Sequence, residues 1–199
     1  MPVDTFLALV VFAFVSSVTP GPNNVMLLAS GVNFGFWRTM PHMCGIAAGF
    51  GFLLLCVGFG LGTLLTSFPA LGTALKILGG AYLLYLAWHI AMSRSMAKTG
   101  TATGTAPMTF MAAAAFQWVN PKAWMMAVTA MAVYSNPDNP YFSVFLVAAA
   151  FVLVGFPSVS TWVAFGTLLR SFLSDPVRLK WFNLAMGLLL ALTIIPMLR

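Results

Sequence analysis

Thr19-Pro20-Gly21-Pro22-Asn23-Asn24 sits inside an apolar run that covers residues 5–29. The length of that run suits one membrane-crossing helix, yet these six residues cannot continue one. Pro20 and Pro22 carry no amide hydrogen and free the carbonyls of Ser16 and Val18, and Gly21 lets the backbone leave helical geometry. Lipid offers freed carbonyls no partner, so the break must face protein or a polar cavity. One reading is a kink healed by neighbouring side chains and water. The other is a discontinuous helix. Carbonyls of its first half then face a cation, while the amino end of its second half, with Asn23 and Asn24, faces an anion. Pro-Gly-Pro followed by two asparagines favours the second reading.

The rest of the chain places this break in a bilayer. Of 199 residues 61% are hydrophobic and 6% charged, against roughly half and a quarter in soluble domains. The apolar runs do not alternate, which excludes a β-barrel and leaves an all-α integral membrane protein. The net charge of +6 is scattered between runs about as long as a bilayer is thick, so it reads as a topology signal and nucleic acid is excluded as a partner. The start, Met1-Pro2-Val3-Asp4, lacks the basic region of a cleavable signal peptide and predicts a retained first helix. Cys44 and Cys56 fall in one expected helix, ~18 Å apart, too far for a disulfide.

Six helices are expected, at 5–29, 42–65, 69–92, 108–133, 141–169 and 181–198, each able to span ~30 Å of hydrocarbon with tilt or trimmed ends. Residues 93–107, rich in Ser, Thr and Gly, read as a cytoplasmic linker between a first three-helix repeat, 1–92, and a second, 108–199. Arg38, then Arg94 and Lys98, then Arg170, Arg178 and Lys180 fall on alternate connections, which predicts both termini outside. Three helices per half makes any repeat inverted, a 3+3 arrangement. Pro20 and Pro121 would break helices one and four. Lys76 lies four residues before Gly80 as Asn183 does before Gly187, and Gly49-Phe50-Gly51 and Gly155-Phe156-Pro157 are expected as paired interruptions in helices two and five.

Helix four repeats the theme of the first break with Gln117, Asn120, Pro121 and Lys122, where Pro121 frees the carbonyl of Gln117. Lys122 lies about 20 Å from either end of its expected span, beyond the reach of its own side chain. A central lysine costs ~2.5–3.5 kcal/mol on insertion scales, so Lys122 should meet a polar cavity or a partner. Pairing with the carbonyls freed by Pro121 is the alternative. Lys76, seven residues beyond Pro69, reads equally as a site lysine and as a side chain that snorkels to the interface. His42 and His89 fall near expected helix ends and read as interfacial. Tryptophans near helix ends read as belt anchors, and Gly45/Gly49 and Gly58/Gly62 as close-packing pairs.

The chain has no Glu, and Asp4, Asp138 and Asp175 all fall at expected membrane edges. Metal binding by carboxylates and a mid-membrane carboxylate proton relay are thereby disfavoured. No Ser or Cys nucleophile stands beside a deep His, so an intramembrane hydrolase is unsupported. No enzyme activity, cofactor or metal site is expected.

Thr19-Pro20-Gly21-Pro22-Asn23-Asn24, with Gly31, Gly35-Phe36-Trp37-Arg38 and Gly45 to Gly49, resembles the amino-terminal signature of the lysine exporter and homoserine/threonine resistance family (LysE/RhtB). The resemblance continues through Lys76, Gly79, Gly80, Tyr82 and Leu83 and through Asn120-Pro121-Lys122, covering essentially the whole chain. It implies a secondary transporter of the bacterial inner membrane that exports amino acids or close derivatives, with protons as the coupling ion, and it leaves homo-oligomerisation open. Asn23-Asn24 and Phe116-Gln117-Trp118-Val119-Asn120 resemble the subgroup exporting cysteine and O-acetylserine. The expected site comprises Pro20, Gly21, Pro22, Asn23, Asn24, Lys76, Gln117, Asn120, Pro121 and Lys122. In it a neutral amino acid's carboxylate would meet Lys122 and a half-helix amino end, and its ammonium freed carbonyls and asparagine side chains. The competing readings are a passive channel and a metal-ion exporter of a related superfamily.

Overall fold

A computed structural model describes the chain except for residues 63–66, 95, 97–105, 137 and 196–199. Most of the expected linker, Lys98 included, and the end of the expected sixth helix therefore lie outside the described residues. Among the described residues all regular structure is helical. The elements are α1 (Val3–Val18), α2 (Pro22–Phe34), α3 (Phe36–Cys56), which runs into a π-helical turn (Val57–Leu61), α4 (Pro69–Met92), α5 (Phe110–Phe116), α6 (Pro121–Tyr134), α7 (Pro140–Leu169), a 3-10 turn (Phe172–Ser174) and α8 (Pro176–Leu192).

Helix starts follow local chemistry. α2, α6, α7 and α8 each begin on a proline, whose missing amide hydrogen costs nothing at that position. α8 begins at Pro176 rather than at residue 181, because Asp175 Oδ1 accepts hydrogen bonds from the amides of Val177 and Arg178, both at 2.9 Å. That edge aspartate is thus an N-cap. α3 begins at Phe36 rather than 42, immediately after Gly35 turns the chain at φ +83°. His42 is therefore one and a half turns inside α3 and 2% exposed, not interfacial.

Among the described residues three helical segments are long and apolar enough to cross a membrane, Phe36–Leu61, Gly72–Met92 and Pro140–Leu169, and the bent pair α1/α2 adds a fourth if it forms one broken span. The expected interruptions at Gly49-Phe50-Gly51 and Gly155-Phe156-Pro157 do not occur. α3 and α7 run straight through them, Pro157 included. Ser158 and Ser160 there bond the carbonyls of Val154 and Phe156, and those glycines that are crowded serve packing. A Cβ at Gly49 would stand 2.5 Å from Ala114 Cα, and one at Gly45 2.3 Å from the Phe110 carbonyl oxygen, so α3 and α5 touch backbone to backbone. Gly31 of α2 and Gly166 of α7 meet in the same way, their Cβ positions 2.4 Å and 2.3 Å from the carbonyl oxygens of Val163 and Leu28. With no hydrophobic drive between helices in lipid, such close approach is a main source of association. Gly187 of α8 likewise abuts the Ala87 carbonyl of α4, at 2.6 Å. The outer face carries exposed Met111, Leu153 and Leu168, as a lipid-facing surface should.

Candidate substrate site at two helix breaks

α1 stops at Val18 because Pro20 cannot continue its ladder. Thr19 takes extended dihedrals and its amide bonds the Val15 carbonyl at 3.0 Å. Gly21 caps α2, which departs at 56° from α1. Two of the carbonyls left over at the end of α1 meet the side chain of Asn24. Asn24 Nδ2 donates to Ser17 O at 2.9 Å and to Thr19 O at 2.8 Å. Lys122 Nζ also donates to Thr19 O.

The second break is built differently. α5 ends after seven residues and Gln117 to Asn120 turn before α6. Asn120 Oδ1 caps α6 by accepting from the Lys122 amide at 3.1 Å, and Trp124 Nε1 donates to the Trp118 carbonyl at 2.8 Å. The two breaks are tied by a reciprocal amide pair. Asn23 Nδ2 donates to Gln117 Oε1 at 2.8 Å and Gln117 Nε2 to Asn23 Oδ1 at 3.3 Å.

Gly21, Asn23, Asn24, Gln117, Asn120 and Lys122 line one cavity of about 60 Å³. Gly21 matters there by contact rather than by dihedral, since a Cβ would lie 2.7 Å from Lys122 Cδ and displace that side chain. Pro22 and Pro121 are the first residues of the half-helices that aim their amino ends at this region, and Pro20 lies exposed in the preceding turn. Lys76 stands apart on an exposed face of α4 and does not line the cavity. Phe50 and Phe156, from the segments expected to be interrupted, form part of the wall instead. Ser17 was not singled out from the sequence, although its carbonyl loses its helical donor as soon as Gly21 leaves the helix.

Lys122 and Asn24 share the Thr19 carbonyl, Asn24 also holds that of Ser17, and the side-chain amides of Asn23 and Gln117 hold each other. A solute entering this region must exchange internal hydrogen bonds for bonds to itself, and the described lining holds no Ser or Cys beside a histidine.

The sequence model of LysE type translocators matches residues 14–195. The cysteine/O-acetylserine efflux proteins of Escherichia coli strain K12 and of Escherichia coli O157:H7 are each 30% identical to this chain over 181 residues, 90% of both sequences. No solved structure matches the chain. A family match over nearly the full length, a broken-helix core and apolar helices of spanning length converge: the chain belongs to the LysE type translocators, as a multi-pass membrane translocator and not an enzyme.

Proposed function

We propose that this chain exports small amino acids or derivatives of no net charge across the bacterial inner membrane, driven by the proton-motive force. In this reading six spans form two inverted three-helix halves joined by residues 93–107, with both termini outside. The observation that carries it is the convergence of two broken helices and one lysine on a single cavity whose lining includes no acidic side chain among the described residues. The likeness to cysteine/O-acetylserine efflux proteins supports cargo of that size and charge.

Binding follows from the exchange of partners. A substrate carboxylate takes Lys122 Nζ away from Thr19 O and meets the free amides at the start of α2. Thr19 O, and Ser17 O released by Asn24, then accept from the substrate ammonium. A cavity of about 60 Å³ is far below the ~300–1,000 Å³ of small-molecule sites, so binding also requires the α1/α2 corner to open. The inverted arrangement is supported by the order of elements, a broken helix followed by a long one in each half, and by the contact of α4 with α8.

The test is flux of labelled O-acetylserine in vesicles reconstituted with purified protein. Saturable efflux that depends on a proton gradient is expected, with threonine and homoserine as competitors. A second positive charge has no acid to meet in the site, and an unpaired buried charge costs several kcal/mol, so lysine should compete at least ~100-fold less well. Flux that neither saturates nor responds to the gradient would instead identify a passive channel.

A further inference from the structure

A second cavity, of about 370 Å³, opens toward the 93–107 end of the molecule between α2, the start of α3, the second half of α4 and the start of α5. It falls within the ~300–1,000 Å³ range of small-molecule sites, unlike the cavity at the helix breaks. Its lining includes no Asp, Glu, Lys or Arg among the described residues. Ser30 is bonded to Thr39 at 2.9 Å, and Asn33 to Asn183 at 3.0 Å, so those polar groups are already satisfied. His42 is not. It lines the cavity, is 2% exposed, and neither ring nitrogen has a hydrogen-bond partner among the described residues. Tyr82 and Tyr85 line the same space from α4.

The two cavities lie in series. On α3 His42 lines one and Ile46 the other, with buried Met43 between them; Ala112 of α5 lines one and Gln117, just past its end, the other, with buried Ala113 and Phe116 between. The apolar septum is thus a little over one helical turn thick, ~6–7 Å.

We infer that this cavity is a second binding chamber for a small amino acid of no net charge, with His42 as its polar anchor, in which cargo waits before crossing the septum to the helix breaks. The inference rests on the export reading. A lining without Asp, Glu, Lys or Arg among the described residues suits a zwitterion whose two charges cancel; the tyrosine hydroxyls can donate to its carboxylate, and a rotation of the buried His42 ring toward the cavity gives it the partner it lacks.

The experiment uses purified chain with Cys44→Ser, Cys56→Ser and Ala112→Cys, and follows the rate of N-ethylmaleimide modification at residue 112. Saturating O-acetylserine or threonine should slow it by ~3-fold or more, as mass action at a few times Kd requires. Lysine should not. The protection should persist when Lys122→Gln is added, which separates this chamber from the deeper site. In vesicles, His42→Phe should raise the KM for O-acetylserine by ~10-fold or more, and His42→Gln, which keeps a donor, by less than ~3-fold. Equal protection by lysine, or no protection by the neutral solutes, would overturn the chamber. Absence of O-acetylserine flux from unmodified protein would remove the export reading while the protection result still decides the chamber.

Discussion

At the scale of single residues, Lys122 and Gly21 form one device. Lys122 is the second residue of α6, half-buried, and reaches across the cavity to the carbonyl of Thr19, so its ammonium closes the end of α1 as a cap would. A hydrogen bond to a charged group is worth ~1.5–3 kcal/mol, or about 10–100-fold in affinity. Lys122→Gln should therefore insert normally but lose at least ~10-fold in kcat/KM for efflux, read in vesicles against protein quantified in the membrane; flux equal to the unmodified chain would remove Lys122 from the mechanism. Gly21→Ala tests the same contact from the other side. Its methyl would collide with Lys122 Cδ at 2.7 Å, and the flexible lysine can swing away. Thermal stability should fall by less than ~1 kcal/mol while transport drops by ~10-fold or more. A large loss of stability with retained flux would show that Gly21 serves the fold alone.

At the scale of elements, the breaks were readable from sequence because proline and glycine act through their own covalent structure. Pro20, Pro22 and Pro121 end or start helices wherever tertiary contacts place them. The continuity of α3 and α7 was not readable. Gly49, Gly51 and Gly155 are permissive rather than breaking, and the close contact of α3 with α5 at Gly49 appears only once both helices are in place. The partners at the breaks were hidden for the same reason: Asn23 and Gln117 are 94 residues apart, and nothing local announces their pairing. The depth of His42 was not readable because the start of α3 hangs on one positive-φ turn, at Gly35. The self-capping of the first break has a measurable cost attached. Asn24→Ala strips Ser17 O and Thr19 O of a shared donor and should destabilise the protein by ~1–3 kcal/mol, read as a lowered midpoint of thermal unfolding in detergent. Gly31→Ala, whose Cβ would lie 2.4 Å from a backbone oxygen, cannot be relieved by a side-chain rotation and should also destabilise by ~1–3 kcal/mol. Unchanged midpoints in both variants would mean that neither the cap nor the α2/α7 contact carries stability.

At the scale of the whole molecule, the fold gathers charges that the sequence scatters. Arg170 Nη1 lies 3.1 Å from the Cβ position of Gly35, at the corner between α2 and α3, and Arg38 is in the first turns of α3. Ser93 Oγ, at the end of α4 beside Arg94, donates to Asn33 Oδ1 at 3.3 Å, and Asn183 Nδ2 of α8 donates to the Ser93 carbonyl at 3.0 Å. These bonds bring the ends of α2 and α4 and the start of α8, with its Arg178 and Lys180, to one pole. The other pole is marked by Tyr134 near the Ala8 carbonyl at 3.4 Å and by the Phe59–Tyr141 ring contact at 5.8 Å, close in sequence to Asp4 and Asp138. Among the described residues arginine gathers at the basic pole with Lys180, and such residues are retained on the cytoplasmic side during insertion. Anionic lipid adds ~1 kcal/mol of attraction per basic residue there. The prediction is that the basic pole, the Ser93–Pro107 segment and the chamber of His42 open to the cytoplasm, so that cargo loads from the side where amino acids are made. A cysteine at residue 138 should react with an impermeant thiol reagent applied to intact cells, and one at residue 98 only after permeabilisation. The reverse pattern would put the chamber outside and make the same structure an importer's exit rather than an exporter's entrance.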